Sequence, residues 1–361
     1  MAKKGRYQQV KKKSWGKRIM LSLVVVFLVL VLGTAAAGAI YYNSMLNLVT
    51  RPEATEQVLS DAQLEEILGF VPEKVQVQDQ QIADAETEPA QKKEDHIVNI
   101  MLIGQQARKN ETAKLSDTMI LCSINKETKT ITLTSFLRDL YVQLPDFQGH
   151  VCGKNRINVA YNLGWYWAGE KGGMEMLDQL ILENFGVEVD YNVEVGFDTF
   201  IKVIDVMGGV DVQMDADVAK YIKVGEEAGT YHLDGEKALG YARTRHVNAG
   251  DNDFNRTSRQ RNLITSLLNK AKTMKIADLH NMLKEILPLV ITDMTNEEIT
   301  ACALELLPMI VDLDIKSNQV PAPDTYYMTM LDIIGVESSV IICDEEANKE
   351  LLMAIAEPPV G

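Results

Sequence analysis

Cysteine is scarce in this sequence, and its four occurrences follow no regular spacing (Cys122, Cys152, Cys302 and Cys343). That spacing fits none of the Cys and His patterns that bind structural metals, which excludes a cysteine-based metal centre. Four cysteines permit three complete disulfide pairings, and the sequence does not choose between a disulfide and free thiols. Cys122 lies in the apolar run MILCSI, which favours a small core residue. No internal repeat is visible, so a repeat architecture is excluded as well.

Positive charge is also in short supply, with 36 Lys and Arg against 51 Asp and Glu and a formal net charge of -15. Eight of the basic residues lie in residues 1–18, so the remainder of the chain has 28 basic against 51 acidic residues, a net of -23. This balance argues against nucleic acid as a partner and against a general anionic-membrane surface. A positively charged site elsewhere in the chain must therefore be local.

Only one long apolar run is present, the uncharged residues 19–42. About 20 apolar residues span a bilayer as a helix, and the basic residues 1–18 would keep the N-terminus in the cytoplasm. A cleaved signal peptide is the alternative, because TAAAGA offers small residues for cleavage, but the run exceeds the roughly 7–15 apolar residues of a signal peptide. We therefore expect a cytoplasmic basic tail at 1–18, a transmembrane helix at 19–42, and an extracellular remainder.

Aromatic residues are nearly absent between residues 51 and 95, where Glu, Asp and Gln dominate. This composition predicts a solvated linker or stalk over 43–95. Beyond His96 short apolar runs alternate with helical patterns, which indicates an α/β layered domain. The predicted strands are 97–104, 117–125, 128–137 and 191–198, and the predicted helices include 172–186, 199–209 and 253–274.

The pattern changes near residue 276. Residues 276–361 read as two helices, the second opened by a TNEE capping box, then a strand around 326–343 and a terminal helix. We expect this part to complete the same fold.

The stretch YARTRHVNAGDNDFNRTSRQR contains no lysine but carries five arginines (Arg243, Arg245, Arg256, Arg259 and Arg261). The planar guanidinium donates paired hydrogen bonds to phosphate oxygens and keeps its charge. Arg256 and Gln260 are four residues apart and share a helix face, so one anion could engage both, with Arg243 or Arg245 arriving from the preceding segment. The alternative is a ladder of solvated charges, which would normally include lysine.

Three aspartates occupy positions where chemistry is plausible. Asp253 begins the helical pattern, where it could cap the helix, orient Arg256 or take part in a reaction. Asp117 lies where a polar loop enters a buried strand. Arg138 and Asp139 lie where another apolar strand ends. Ligands usually bind at strand ends in α/β sheets. The simpler interpretation is that Asp139 forms a surface ion pair with Arg138 and that Asp117 caps a turn.

The order of these blocks resembles that of the LytR-CpsA-Psr (LCP) phosphotransferases. The resemblance covers roughly residues 96–275 and rests on NIMLIGQQAR, SDTMIL, TSFLRDLYV, RINVAYNLG, LDGEKALGYARTRH and DNDFNRTSRQR. It implies a central mixed β-sheet flanked by helices. It also implies a membrane-anchored extracellular enzyme that moves a glycopolymer phosphate (teichoic acid, capsule or similar) from a polyprenyl-pyrophosphate carrier to a peptidoglycan muramic acid hydroxyl. The polyprenyl tail would lie in an apolar groove.

The resemblance also assigns site residues by position. The pyrophosphate would be bound by Arg138, Arg243, Arg245, Arg256 and Gln260, with Arg108 at the rim. Asp117 would hold Mg²⁺ or Mn²⁺, and Asp253 would lie near the phosphate. Phosphoryl transfer asks the protein for positioning and positive charge, and Asp117 or Asp253 is the candidate general base.

Residue 106 departs from the family pattern, because Gln106 stands where the first block usually carries a metal-binding Asp. An amide oxygen still coordinates Mg²⁺ but adds no charge. Two other hypotheses follow: a non-catalytic binder of polyprenyl phosphates or wall polymers, and a pyrophosphatase that cleaves the carrier.

Overall fold

A computed structural model describes residues 43–54, 73–74, 96–105, 116–245, 247, 252–274, 282, 284–333 and 335–356. The chain divides into two compact units, Met1–Leu48 and Val49–Gly361. In the first unit, a helical turn covers residues 43–46. The predicted tail and transmembrane helix (1–42) and most of the predicted stalk lie outside the described residues. Within the described segments, no helix combines the length and the apolar character that a membrane crossing requires.

The strands of the second unit are short to medium in length. They are β1 (Glu73–Lys74), β2 (Ile97–Gln105), β3 (Ser116–Asn125), β4 (Thr130–Phe136), β5 (Tyr141–Gln143), β6 (His150–Val151), β7 (Lys154–Arg156), β8 (Tyr191–Gly196), β9 (Val210–Met214), β10 (Gly229–Leu233), β11 (Ile291–Thr292), β12 (Asp314–Val320), β13 (Tyr326–Ile333) and β14 (Val336–Cys343).

The helices lie between and after these strands. They are α1 (Asn158–Phe185), α2 (Phe197–Val206), α3 (Ala216–Tyr221), α4 (Gly235–Arg243), α5 (Asp253–Thr273), α6 (Asn296–Leu306) and α7 (Glu345–Ala356), with 3₁₀ helices at Leu287–Leu289 and Leu307–Asp312.

The main sheet has six strands in the order β11-β8-β2-β3-β4-β12. Strands β2, β3 and β4 pair antiparallel, whereas β8 runs parallel to β2 and β12 runs parallel to β4. The predicted mixed sheet is therefore confirmed. Because β11 and β12 both follow residue 276, the late part of the sequence supplies both edge strands of this sheet.

Alternating residues of the central strands face two different helical layers. Met119 and Leu121 of β3 pack in the core that contains α1 and α7, and Ile120 packs on the other side with Ile264 and Leu268 of α5. A third apolar cluster joins β9 and β10 to helices α2, α4 and α5. The alternation of period two in β3 thus matches a sheet buried on both faces.

Several predicted boundaries are wrong. Helix α1 begins at Asn158 rather than at residue 172, and it is kinked where Ala168 and Gly169 leave helical geometry, Gly169 with φ of 69°. The single strand predicted around 326–343 is a hairpin, with Gly335 in its turn at φ of 80°. Strand β12 was not predicted, because DIKSNQV is a polar edge strand. Asn252, not Asp253, caps α5 by accepting from the amides of residues 254 and 255.

Two smaller expectations have clear outcomes. The TNEE capping box is confirmed, since the Thr295 amide donates to Glu298 Oε2 at 2.7 Å and the Glu298 amide to Thr295 Oγ1 at 3.2 Å. All four cysteines are free thiols. Cys122 packs in the apolar cluster beside α5, and burial raises the pKa of its thiol to about 12.

Candidate active site

Four strand ends meet at one edge of the main sheet. Since β3 is antiparallel to both β2 and β4, its first residues lie beside the last residues of those strands. Strand β8 is parallel to β2 and also ends there, at the start of α2. This topology places Asp117, near the start of β3, within reach of Arg138, two residues beyond β4.

Arg138 is the centre of a network of carboxylates. Its Nη1 lies 2.9 Å from Asp117 Oδ1, and its Nε lies 3.5 Å from Asp139 Oδ2 and 3.8 Å from Asp253 Oδ1. Arg156 joins the network through a 3.7 Å contact between its Nη1 and Asp139 Oδ1. The Arg138–Asp139 ion pair of the simpler interpretation is therefore present, but as one part of a larger cluster.

Helix α5 brings its first turn to the same cluster. Arg256 Nη2 lies 2.8 Å from Asp253 Oδ1 and 3.0 Å from Oδ2, and it donates to the backbone oxygen of Asp117 at 3.3 Å. Arg256 is 2% exposed, so its orientation is set by these contacts. Arg245 approaches the same carboxylate, with Nε 3.9 Å from Asp253 Oδ1. Asp253 therefore orients Arg256 and links it to Arg138 and Arg245.

A cavity of about 330 Å³ opens among these groups; we call it the arginine pocket. Its lining combines four arginines with one carboxylate and an amide (Arg138, Arg243, Arg245, Arg256, Asp117 and Gln260), completed by Thr118, Phe197 and Ala242. Among the described residues, Arg256 Nε and Gln260 Oε1 are buried without a hydrogen bond. The unsatisfied Arg256 Nε is a donor, and beside the convergent guanidinium groups it is suited to an anion with several oxygens.

A second cavity, of about 240 Å³ and almost entirely apolar, adjoins the arginine pocket; we call it the apolar cavity. Its walls come from β2, β3, β8, α2, α4 and α5, including Leu102, Ile120, Val193, Phe200 and Leu267. The two cavities share Thr118, Phe197, Ala242, Arg243 and Gln260. At this boundary the Arg243 guanidinium lies 4.8 Å from the centroid of the Phe197 ring, a cation–π distance. The combined space suits a ligand with an anionic head and an apolar tail.

Burial and charge change the pKa of two groups in the cluster. Burial raises the pKa of Asp253 to about 6, against the opposing effect of Arg138 and Arg245. Burial alone would lower the pKa of Arg138, but Asp139, Asp117 and Asp253 outweigh it and raise that pKa above its ordinary value. Arg138 therefore stays charged, while Asp253 exchanges a proton within the physiological range.

The predicted site residues divide into three groups. Asp117, Arg138, Arg243, Arg245, Arg256 and Gln260 line one pocket, and Asp253 contacts three of its arginines. Gln106 and Arg108 lie outside the described residues. Arg259 and Arg261 point away from the pocket: Arg259 Nη1 donates to the backbone oxygen of Thr244 at 2.8 Å, and Arg261 Nε donates to Ser317 Oγ at 2.6 Å.

The predicted metal ligands are only partly within the described residues. Across the described segments, no three Asp, Glu, His or Cys side chains are grouped so as to hold a metal ion. Asp117 is present at the pocket, where one oxygen already contacts Arg138. Mg²⁺ requires about six oxygen ligands, several of them water or substrate phosphate. The described part of the chain therefore offers such an ion one of its two predicted protein ligands.

Sequence reasoning missed Phe197 and the lining of the apolar cavity. The cavity walls come from six elements far apart in the chain, so no local pattern marks them. Phe197 had a weak signal, because it follows Gly196 at the end of a predicted strand, where ligands usually bind.

Comparison with known proteins identifies a family and several relatives. A sequence profile of the LytR_cpsA_psr family matches residues 68–348. The polyisoprenyl-teichoic acid–peptidoglycan teichoic acid transferase TagT of Bacillus subtilis is 32% identical over 187 residues, which cover 49% of this chain and 53% of TagT. The corresponding transferase TagU of Oceanobacillus iheyensis is 34% identical over 179 residues, 50% of this chain and 53% of TagU.

A third relative carries a different name. The regulatory protein MsrR of Staphylococcus aureus is 30% identical over 177 residues, 48% of this chain and 49% of MsrR. The chain thus matches about half the length of each of these curated relatives.

Solved structures share the fold. TagT bound to LIIa-WTA superimposes with a TM-score of 0.55 at 24% identity, covering 73% of this chain and 91% of that one. Protein gbs0355 of Streptococcus agalactiae gives 0.58 at 23% identity, covering 75% and 93%. TagT (YwtF) with bound octaprenyl pyrophosphate lipid gives 0.51 at 22% identity, covering 73% and 91%.

Proposed function

Because the chain belongs to the LytR-CpsA-Psr family, we propose that it transfers a phosphorylated cell-wall glycopolymer from a polyprenyl-pyrophosphate carrier to a peptidoglycan hydroxyl. The observation that carries this proposal is the junction of the arginine pocket with the apolar cavity. A polyprenyl pyrophosphate has the same division, an anionic pyrophosphate joined to an apolar chain. The name of TagT and its structure with octaprenyl pyrophosphate agree with that choice of donor.

The arginines suit the charge changes of this reaction. Four guanidinium groups line the pocket, against Asp117 in the lining and Asp253 and Asp139 in the network behind it. A bound pyrophosphate therefore meets a small excess of positive charge. The carboxylates already hold the arginine side chains in place. Charge that develops on the phosphoryl oxygens during transfer is stabilised without further rearrangement of the protein.

The proposed step joins the acceptor and the glycopolymer through one phosphate. The acceptor hydroxyl oxygen attacks the phosphorus that carries the glycan, and the bond from that phosphorus to the bridging pyrophosphate oxygen breaks. Polyprenyl monophosphate leaves with the bonding electrons, and the hydroxyl proton passes to Asp253. A carboxyl with a pKa of about 6 is ionised at neutral pH and is a stronger base than an ordinary aspartate.

The proposal includes a divalent cation and a membrane location. Asp117, with Gln106, would hold Mg²⁺ or Mn²⁺, which would neutralise pyrophosphate charge. Residues 19–42 would anchor the protein in the cell membrane, with residues 1–18 cytoplasmic and the active site extracellular. This arrangement would present the pocket to a lipid-linked donor on the outer side of the membrane.

Transfer can be tested directly with the full chain in detergent. The protein is incubated with a lipid-pyrophosphate glycan and peptidoglycan oligomers, with Mg²⁺ or Mn²⁺, and the products are analysed by mass spectrometry. The proposal expects a phosphodiester-linked adduct and polyprenyl monophosphate in equal amounts. If the donor disappears without any acceptor, the chain is a pyrophosphatase. If the wild-type protein binds the donor without reacting, and only the Gln106→Asp variant catalyses transfer, the chain is a binder.

A further inference from the structure

A third cavity lies on the other side of the α4–α5 helix pair; we call it the polar cavity. Its volume is about 510 Å³, and it is lined by Gln213, Asp215, Tyr241, Ser258, Arg259 and Asn262, among others. That volume lies within the usual range of small-molecule sites, roughly 300–1,000 Å³. The reaction proposed above uses none of these side chains.

The polar cavity and the arginine pocket share helices but not residues. On α5, Gln260 faces the arginine pocket and its neighbour Arg259 faces the polar cavity, as expected for successive residues about 100° apart. On α4, Ala242 and Arg243 line the arginine pocket, while Tyr241 lines the polar cavity. The α4–α5 pair therefore forms a wall between the arginine pocket and the polar cavity.

The charge of the polar cavity differs from that of the arginine pocket. Arg259 and Asp215 both line it and act in opposite directions on Tyr241, whose pKa is raised chiefly by burial, lowered by Arg259 and raised by Asp215. One cation and one anion leave little net charge for an anionic ligand. The other polar lining groups are neutral amides and hydroxyls, so the cavity fits an uncharged polar ligand better than a phosphate.

Hydrogen bonds within the protein orient several of the neutral groups. Asn262 Nδ2 donates to the Tyr241 hydroxyl at 3.4 Å, which leaves that hydroxyl its own proton to donate. Thr230 Oγ1 donates to Gln213 Oε1 at 2.8 Å. This contact engages the amide oxygen and leaves the Gln213 amide nitrogen to donate to a ligand. Amides held in this way offer paired donors and acceptors, the pattern that a sugar ring presents in return.

Arg259 links the two sides of the wall. Its Nη1 donates to the backbone oxygen of Thr244 at 2.8 Å, one residue before Arg245 of the arginine pocket. A ligand that contacts Arg259 therefore lies one hydrogen bond away from the backbone that positions Arg245.

We propose that the polar cavity binds an uncharged sugar residue of a glycan that takes part in the reaction. The inference rests on the proposed function for the choice of a glycan, and on the cavity for its chemistry. Two sources share that chemistry: the acceptor strand and the glycopolymer of the donor. The polar cavity would hold the chosen strand beside the α4–α5 wall while the pyrophosphate occupies the arginine pocket.

The test measures binding without turnover, on the full chain in detergent. The probes are a peptidoglycan tetrasaccharide, a lipid-free and dephosphorylated glycopolymer oligomer, and inorganic pyrophosphate, each titrated by calorimetry. The variants are Gln213→Ala, Asn262→Ala and Ser258→Phe, the last of which fills the cavity from an exposed position. Asn269→Ala, exposed on the same helix, is the matched control.

We expect each cavity variant to weaken binding of one sugar probe by about tenfold, the effect of losing roughly 1.4 kcal/mol, with pyrophosphate affinity and the control unchanged. The affected sugar probe identifies the source. Unchanged sugar binding in all three variants would overturn the proposal, and so would parallel loss of pyrophosphate binding. Failure of the proposed function has a separate signature, because the wild-type protein would then bind sugar through this cavity yet form no transfer product.

Discussion

The face of helix α5 that lines the arginine pocket and the face that packs on the sheet each bury one arginine, in opposite surroundings. On the pocket face, Arg256 is 2% exposed and its Nη2 lies 2.8 Å from Asp253 Oδ1. On the sheet face, Arg261 is 6% exposed and donates to the neutral hydroxyl of Ser317. Burial lowers the pKa of Arg261 to about 10, and no carboxylate contributes to that change.

The difference shows two uses of one residue type. A buried charge is expensive unless it is paired and hydrogen-bonded. Arg256 is compensated by an aspartate and placed at a cavity, so its charge is available to a substrate. Among the described residues, Arg261 has no carboxylate in contact and lines none of the three cavities, so the cost of burying its charge is not offset by an ion pair. Arginine content alone therefore does not mark a binding residue, whereas a paired carboxylate at a cavity does.

Removing the compensated arginine should have the largest effect. Arg256→Ala deletes a buried donor to the substrate and leaves Asp253 without its nearest cation, which raises the pKa of Asp253 further. We expect kcat/KM for transfer to fall by about 10³-fold, as for loss of a preorganised donor. The measurement is initial rate of adduct formation, with Asn269→Ala as control; a loss below about tenfold would contradict the assigned role.

The second test removes the other half of the pair. Asp253→Asn keeps the size of the side chain but abolishes the base, and we expect kcat to fall by about 10²-fold. In the wild type the rate should decrease as pH falls through about 6, because Asp253 then becomes protonated. The variant should lose that pH dependence. A variant profile that still turns at pH 6 would assign the base to another group, with Asp117 the next candidate.

The third test concerns the boundary between head and tail of the donor. Phe197→Leu keeps an apolar wall but removes the ring against which Arg243 lies. A cation–π contact contributes roughly 0.5–1 kcal/mol at a partly exposed site, so KM for the donor should rise by about two- to fivefold with kcat unchanged. Asn269→Ala, exposed on α5 and outside both cavities, is the control. A fall in kcat alone would show that the ring acts on the reaction step.

The smallest effect on activity should come from the uncompensated arginine. Arg261→Met replaces a buried cation with an apolar side chain of similar length, and we expect transfer to stay within about twofold of wild type. The free energy of unfolding should rise by about 1 kcal/mol or remain unchanged, as measured by urea denaturation. Loss of activity in a folded Arg261→Met protein would remove the contrast between the two faces of α5.

The sequence predicted the centre of the fold better than its edges. Strands β2 and β3 are short apolar runs and β4 is rich in β-branched residues, as expected for strands buried on both faces. Strand β12 is an edge strand with the polar sequence DIKSNQV, so its pairing with β4 comes from tertiary context. The part of α1 before its kink at Gly169 was likewise missed, because residues 158–164 are all buried and show no alternation of an apolar and a polar face.

The site was predictable where a single element carries it. The shared face of Arg256 and Gln260 follows from helix geometry alone. The position of Arg243 and Arg245 could not be predicted from helix geometry, because α4 ends between them. Thr244 has an extended ψ of 129°, which allows both arginines to line one pocket. The continuity with the apolar cavity could not be predicted, since it depends on how six elements pack together.

Strand pairing also sets the time at which the active site forms. The turn that carries Arg138 is hydrogen-bonded from both sides by residues made much later: the Leu137 amide donates to Val320 O at 3.0 Å, and the Ile341 amide donates to Asp139 O at 2.9 Å. The turn around Arg138 therefore lacks these two hydrogen bonds until the ribosome has passed residue 341. A nascent or truncated chain that ends before residue 314 carries every arginine of the pocket and still lacks the frame that aligns them.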